Sequence, residues 1–336
     1  MPFFDPNGSA EPMTRDQARL APSAQAFIDY ASSRTGLDFE TASLEELRED
    51  TKEMELRFAT EAPDMAEEHD VELTAANGDI FRIRLHIPRR LAAGETIPAL
   101  VFMHGGGWCL GDIETHQQMC KYLAAKGNVI GVNVEYRLAP EHKFPAGIDD
   151  CEQVVDWVAA NISNYGGDPS RIAVTGASAG GNFSAVLAQR AARGEGPKIG
   201  AQILFYASVD AAHYGDYPSW KRLAPLDFLL SDPSSEWVRE QYFAKDEDIL
   251  DIRASPMLAQ DLRDNCPALV ITAEYDPLVD ESAAYADRLV AAGCEVEYVC
   301  YPGMVHGFTN MAGGIPEGYV ALDRAAAFLK SQFASV

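Results

Sequence analysis

One serine in the chain is framed as a nucleophile would be. Gly176-Ala177-Ser178-Ala179-Gly180 fits the pattern G-x-S-x-G, follows the apolar run Ile172–Thr175, and precedes small residues that open a helix through Ala185-Val186-Leu187-Ala188. A strand that turns this tightly into a helix tolerates only tiny flanking side chains and holds the serine hydroxyl out above the sheet. The unpaired N–H groups at the start of that helix face whatever negative charge forms beside the serine. Taken alone, five such residues also fit an ordinary glycine-rich turn. A second stretch separates the two readings. Val101-Phe102-Met103-His104-Gly105-Gly106-Gly107-Trp108 runs an apolar strand into three consecutive glycines, whose backbone N–H groups no side chain covers. Acyl transfer needs such donors aimed at the oxyanion of its tetrahedral intermediate. A flexible loop or a phosphate cradle would be the alternatives. The cradle lacks both a following Gly-Lys-Ser/Thr and a G-x-G-x-x-G that opens a helix.

A serine hydroxyl at neutral pH needs a base within hydrogen-bond reach, and that base needs an orienting partner. Among seven histidines, His306 lies just past the last predicted strand, in Tyr301-Pro302-Gly303-Met304-Val305-His306-Gly307-Phe308. Asp276 likewise follows the strand Leu269–Thr272, directly before Pro277. Catalysts of open α/β sheets gather at the carboxyl ends of strands. Of the competitors, Asp280 reads as the start of the next helix and Glu274 as structural. His116 and His142 precede the serine in the chain and read as surface or structural groups.

These residues need a scaffold, and the periodicity supplies one. Thr14–Ser33 and Ser43–Ala59 have helical spacing, the second with a Ser43/Glu46 capping box. Val71–Thr74 and Ile80–Ile87 alternate apolar and polar residues around the turn dipeptide Asn77-Gly78, which predicts an antiparallel hairpin. Beyond Pro88, apolar strands (97–103, 129–134, 171–175, 201–206, 268–273, 296–300) alternate with helices (113–126, 146–162, 179–193, 281–292, 317–333). That rhythm predicts an α/β fold, a mainly parallel sheet covered on both faces. Residues 211–252 break it: aromatic residues from Tyr214 to Phe243 crowd there among charges without a strand. They read as an inserted lid, or else as a helical excursion with no role toward substrate. The organisation expected is 1–60 as the N-terminal part of a cap, 61–210 as core, 211–252 as the cap insertion and 253–336 as core.

Composition narrows the partners. With 27 basic and 51 acidic residues the formal charge is −24, which argues against nucleic acid and anionic membrane surfaces. Six cysteines include no C-x-x-C pair, so buried free thiols are expected, with no metal site and no disulfide framework. Neither a signal peptide at the N-terminus nor an apolar run of the ~18–20 residues of a membrane span is legible. The expected location is cytoplasmic.

Three motifs together resemble the hormone-sensitive-lipase branch of the α/β-hydrolases, the bacterial family IV esterases. They are His104-Gly105-Gly106-Gly107-Trp108, then Tyr136-Arg137-Leu138-Ala139-Pro140-Glu141, then Gly176-Ala177-Ser178-Ala179-Gly180-Gly181; Asp276-Pro277-Leu278 and His306-Gly307-Phe308 complete the set. The likeness covers residues 70–330. It implies an eight-stranded α/β-hydrolase sheet, a helical cap, and hydrolysis of short to medium acyl esters without a cofactor. It further implies Ser178 as nucleophile, His306 as base and Asp276 as its orienter, with the oxyanion held by N–H of Gly106, Gly107 and Ala179. His104 would orient the glycine loop, the Tyr136–Glu141 segment would brace it, and Trp108 would shape the acyl or alcohol pocket. The partner expected is a small-molecule ester. Family members often form homodimers, though no interface is legible in this chain. One residue departs from the pattern: Ala177 stands where the family usually has Asp or Thr. The same machinery would serve an amidase or a lactonase, and the branch also includes catalytically silent receptors that have lost the histidine kept here.

Overall fold

In the computed structural model, which describes residues 2–34, 39 and 41–334, alternating elements build a single eight-stranded sheet. The strands are β1 (Glu67–Thr74), β2 (Ile80–Ile87), β3 (Ile97–Met103), β4 (Ile130–Glu135), β5 (Gly167–Ala177), β6 (Ala201–Phe205), β7 (Ala268–Tyr275) and β8 (Val296–Val305). They lie in the order β1-β2-β4-β3-β5-β6-β7-β8. The predicted hairpin forms, with Thr74 opposite Ile80 across the Asn77-Gly78 turn. β2 also pairs antiparallel with β4, and every later pairing is parallel.

The side-chain alternation of β3 shows why its sequence is apolar throughout. Ile97, Ala99, Val101 and Met103 join one core cluster, with residues of α4 (Ala146–Asn161) and α5 (Ala179–Ala192). Leu100 and Phe102 join the opposite one, with α3 (Ile113–Gly127) and α9 (Glu317–Phe333). A strand buried on both faces has no wet side to mark with polar residues. α8 (Val279–Ala291) contributes Tyr285, Ala286 and Leu289 to a third cluster, beside Leu204 and Val270.

The N-terminal helices differ from expectation. Thr14–Ser33 divides into a single turn at Arg15–Gln17 and α1 (Pro22–Ser33). Pro22 has no N–H to give and is preorganised for a first helical position, so the helix starts there. α2 (Leu44–Arg57) has the expected capping box: Glu46 N–H donates to Ser43 Oγ at 3.3 Å and Ser43 N–H to Glu46 Oε2 at 2.9 Å. Residues 211–252 hold α6 (Pro218–Leu223), α7 (Asp232–Tyr242) and short single turns, with no strand among the described residues. Parts of the expected segments 1–60 and 253–336, namely residues 1, 35–38, 40, 335 and 336, lie outside the described residues. The cysteines also differ: Cys109, Cys120 and Cys151 are buried, but Cys266 and Cys294 are half-buried and Cys300 is exposed. No helix among the described residues is long and apolar enough to cross a membrane.

Candidate active site

β5 ends at Ala177, and α5 begins at Ala179 with Ser178 as its N-cap residue. Ser178 takes φ 55°, ψ −115°, a conformation that a side-chain-bearing residue adopts only under constraint. The constraint is the packing of the turn. A Cβ added at Gly180 would lie 2.1 Å from the Met103 carbonyl oxygen, so α5 can approach β3 this closely only with glycine there. Ala177 is 2% exposed and belongs to the apolar cluster that includes Phe102, Tyr206 and Met304. Its surroundings explain why a small apolar residue is accepted in place of Asp or Thr.

Three elements far apart in the chain meet at this turn. His306 directly follows β8, and Asp276 directly follows β7. The Ser178 hydroxyl donates to His306 Nε2 at 3.0 Å, and His306 Nδ1–H donates to Asp276 Oδ2 at 2.8 Å. Asp276 is fully buried, and its other oxygen accepts the Leu278 N–H at 2.9 Å. The imidazole keeps 14% of its side chain exposed toward the cavity. With Nδ1 protonated toward Asp276, Nε2 is free to accept the serine proton. Tyr206, the residue after β6, packs edge-on against the imidazole with ring centroids 4.9 Å apart. No motif marks this tyrosine; only its place at a strand's carboxyl end could have drawn attention to it.

The glycine loop reaches the same point from β3. Gly106 has φ 108°, and a Cβ there would lie 2.2 Å from the Leu110 carbonyl oxygen. Gly106, Gly107 and Ala179 line one cavity with Ser178 and His306. Their N–H groups bond to no other group among the described residues. His104 Nδ1–H donates to the Gly105 carbonyl at 2.7 Å, and its ring stacks on Tyr136. Tyr136 OH donates to the His104 carbonyl at 2.9 Å, and Ala139 N–H to that of Trp108 at 2.9 Å. The Tyr136–Glu141 segment thus holds the loop from outside the cavity. Trp108 lines the cavity but is only 6% exposed, because its indole stacks on Tyr242 with centroids 4.4 Å apart.

Of the competing groups, Glu274 accepts the Gly303 N–H and Asp280 lies in the first turn of α8, accepting the Ser219 N–H. His142 is half-buried, with Nδ1 3.5 Å from Asp79. His116 is buried, and its Nε2 accepts the Gly105 N–H at 3.3 Å. Beside it, Glu55 of α2 places Oε2 3.8 Å from His116 Nδ1, and this buried oxygen has no hydrogen-bond partner. Burial pushes the Glu55 carboxyl up to about 8 and the His116 imidazole down to about 3. Both are therefore neutral at pH 7, and the contact is not an ion pair. Between the ordinary carboxyl value near 4.5 and about 8, the unfolded chain releases a proton that the folded chain keeps. Glu55's contribution to stability therefore falls as pH rises through that window, while His116, whose unfolded imidazole binds a proton below about 6.5, offsets it below that value. Glu55→Gln is expected to remove that contribution, so that the variant gains stability relative to the wild type across the window and is the more stable at pH 8.5, with a slope of the difference up to about 1.4 kcal/mol per pH unit. Parallel wild-type and variant profiles would show that Glu55 ionises freely.

The cavity measures about 920 Å³, within the size range of small-molecule sites. α2 gives it Leu47, Asp50 and Met54, and the 211–252 segment gives it Tyr214, Val238, Arg239 and Phe243. The profile of a family described as having the alpha/beta hydrolase fold matches residues 100–310. The carboxylesterase NlhH of Mycobacterium tuberculosis is 43% identical over 239 residues, which cover 70% of this chain and 74% of that protein. The ethyl acetate hydrolase of Pseudomonas putida is 35% identical, over 74% and 77% of the two chains. Among solved structures, the hyperthermophilic esterase of Pyrobaculum calidifontis superposes with a TM-score of 0.87 at 36% identity, over 94% of this chain and 99% of its own. The motifs, the sheet order and these likenesses converge: the chain belongs to the α/β-hydrolases, on their hormone-sensitive-lipase-like branch.

Proposed function

We propose that the chain is a serine carboxylic-ester hydrolase that cleaves short to medium acyl esters through an acyl-enzyme. The observation that carries this reading is the hydrogen-bonded line Asp276–His306–Ser178, at 2.8 and 3.0 Å. It ends in a cavity where the Gly106, Gly107 and Ala179 N–H groups are unspent. Ser178 attacks the ester carbonyl as His306 takes its proton. Asp276 keeps the imidazole in the tautomer that leaves Nε2 open, and the three N–H groups meet the oxyanion. His306 then protonates the departing alcohol, and water repeats the sequence on the acyl-enzyme. Each oxyanion donor would contribute on the order of 10²–10³ in turnover. In this reading, residues 1–60 and 211–252 form the cap over the cavity.

The test is hydrolysis of p-nitrophenyl esters from acetate to palmitate, by the wild type and by Ser178→Ala. Activity that peaks at short or medium chains and disappears in the variant is the expected result. A wild type inactive on every chain length, or a variant as active as the wild type, would overturn the reading. Cleavage of anilides or lactones in the absence of ester cleavage would direct the same machinery to an amidase or a lactonase.

A further inference from the structure

The cavity holds two cations with no carboxylate partner among the described residues: Arg15, which is exposed, and Arg239, which is half-buried. Three arginines line it: Arg15, Arg34 and Arg239. Arg34 is paired with Asp50 at 2.6 Å and with Glu53 at 3.3 Å. Arg15 donates to the carbonyls of Leu226 and Asp227 and to the Ser32 hydroxyl. Arg239 makes one hydrogen bond among the described residues, from Nη1 to the Ala211 carbonyl at 2.6 Å. No carboxylate comes within 4.0 Å of its nitrogens among the described residues. The carboxylates that act on it from beyond that distance are Asp246 and Glu236, while two that line the cavity are engaged elsewhere: Asp210 accepts from Tyr217 OH at 2.7 Å and contacts His213, and Asp232 accepts from the Trp220 indole N–H at 2.6 Å.

The position of Arg239 matters as much as its solitude. Its neighbour Val238 lies directly over the glycine loop, since a Cβ at Gly107 would meet Val238 Cγ2 at 2.8 Å. Ala211, which anchors the guanidinium, follows three residues after Ser208, whose N–H donates to the Ser178 carbonyl at 3.4 Å. The guanidinium carbon lies 4.7 Å from the Tyr214 ring centroid, and that ring covers one side of the group. Burial lowers the pKa of this arginine, and the attraction of the more distant Asp246 and Glu236 offsets that only in part. A guanidinium presents five N–H donors in a planar fork that matches a carboxylate. Only one of Arg239's is used among the described residues.

We propose that Arg239 is a specificity-determining residue that binds a carboxylate on the substrate, so that the preferred substrates are esters carrying a free carboxylate. This rests on the ester-hydrolase reading and narrows its substrate class. The net charge of −24 repels anions at long range, but at 0.15 M salt the screening length is about 8 Å. The lining itself also carries Asp50, Asp210, Asp227 and Asp232, so the selectivity rests on the fork's direct hydrogen bonds to a carboxylate and not on the field of the cavity.

The experiment compares two ester pairs at 0.15 M salt. Mono-p-nitrophenyl glutarate against p-nitrophenyl valerate places the carboxylate on the acyl side. 4-Butyryloxybenzoate against its methyl ester places it on the alcohol side. In at least one pair the wild type is expected to prefer the carboxylated member. Arg239→Gln should lower kcat/KM for that member about 10- to 100-fold, mainly through KM, while changing its neutral partner less than about threefold. Arg239→Lys should retain part of the preference, as a point charge without the fork. Free glutarate should inhibit valerate hydrolysis by the wild type competitively, and glutaramide should not, a result that needs no variant. Equal losses on neutral and carboxylated esters, or no preference in either pair, would overturn the proposal while leaving the ester-hydrolase reading intact. No hydrolysis of any of the four esters would overturn both.

Discussion

Ser178→Ala is expected to lower kcat on p-nitrophenyl butyrate by on the order of 10⁶-fold, with the fold retained. The size of the effect follows from the geometry. The Ser178 hydroxyl is the group hydrogen-bonded to His306 Nε2, at 3.0 Å, so on the proposed mechanism its loss would remove the covalent route and leave the base with nothing to activate. What survives is the slow attack of water on an ester still held beside the N–H groups of Gly106, Gly107 and Ala179. His306→Ala should cost nearly as much, and the double variant little more than either single one, because residues that act as one unit do not add. Alanine has no difficulty replacing the serine sterically, since the tight contacts of the turn fall on Gly180 and not on the hydroxyl. A melting temperature equal to or above that of the wild type, together with loss of labelling by a fluorophosphonate, would separate lost chemistry from lost structure. Additive losses in the double variant would contradict the assignment of the pair to one step.

Asp276→Asn tests the role of the acid and should lower kcat by on the order of 10⁴-fold. Two donors face this carboxylate from opposite sides: the Leu278 N–H on Oδ1 at 2.9 Å and the His306 Nδ1–H on Oδ2 at 2.8 Å. An amide cannot accept from both through two oxygens. If its oxygen keeps the backbone N–H, its NH₂ points at Nδ1, the imidazole proton moves to Nε2, and the serine loses its acceptor. The reversed amide leaves NH₂ facing the Leu278 N–H inside a fully buried site, which is costly. The expected variant therefore folds, binds substrate with a KM near that of the wild type, and turns over slowly. A loss below about tenfold would mean that the imidazole is oriented by other contacts, of which Tyr206 is the one in place.

Much of this architecture is written in short stretches, and those stretches were legible. The strand from Ile172, the small residues around Ser178 and the three glycines after His104 do their work within a few positions of one another. Their residue types therefore reveal the turn and the donor loop before any tertiary contact forms. The uniformly apolar β3 reflects burial on both faces, and the Asn77-Gly78 dipeptide sets a hairpin locally. Order along the chain then singled out Asp276 and His306, since each follows an apolar strand at the sheet's carboxyl edge.

Only the tertiary structure decided how the rest meets. Tyr206 and His306 are 100 positions apart, and nothing in either neighbourhood says that their rings touch. His116 read as a surface or structural group, yet its ring is buried behind the glycine loop, where it accepts the Gly105 N–H. Trp108 stood out as a wall of the pocket; it lines the cavity, and only the fold shows that its indole stacks on Tyr242. Arg239 is not singled out by the sequence, which shows only aromatic residues among charges over 211–252. Its place in the cavity depends on where Ala211 finishes in space and on Asp246 and Glu236 staying beyond ion-pair distance. Local sequence determined the elements and the reactive turn, because strand burial and close backbone approach act at short range. The long-range packing of α2, α7 and the strand ends decided which side chains share the cavity, because those contacts depend on distances that no periodicity encodes.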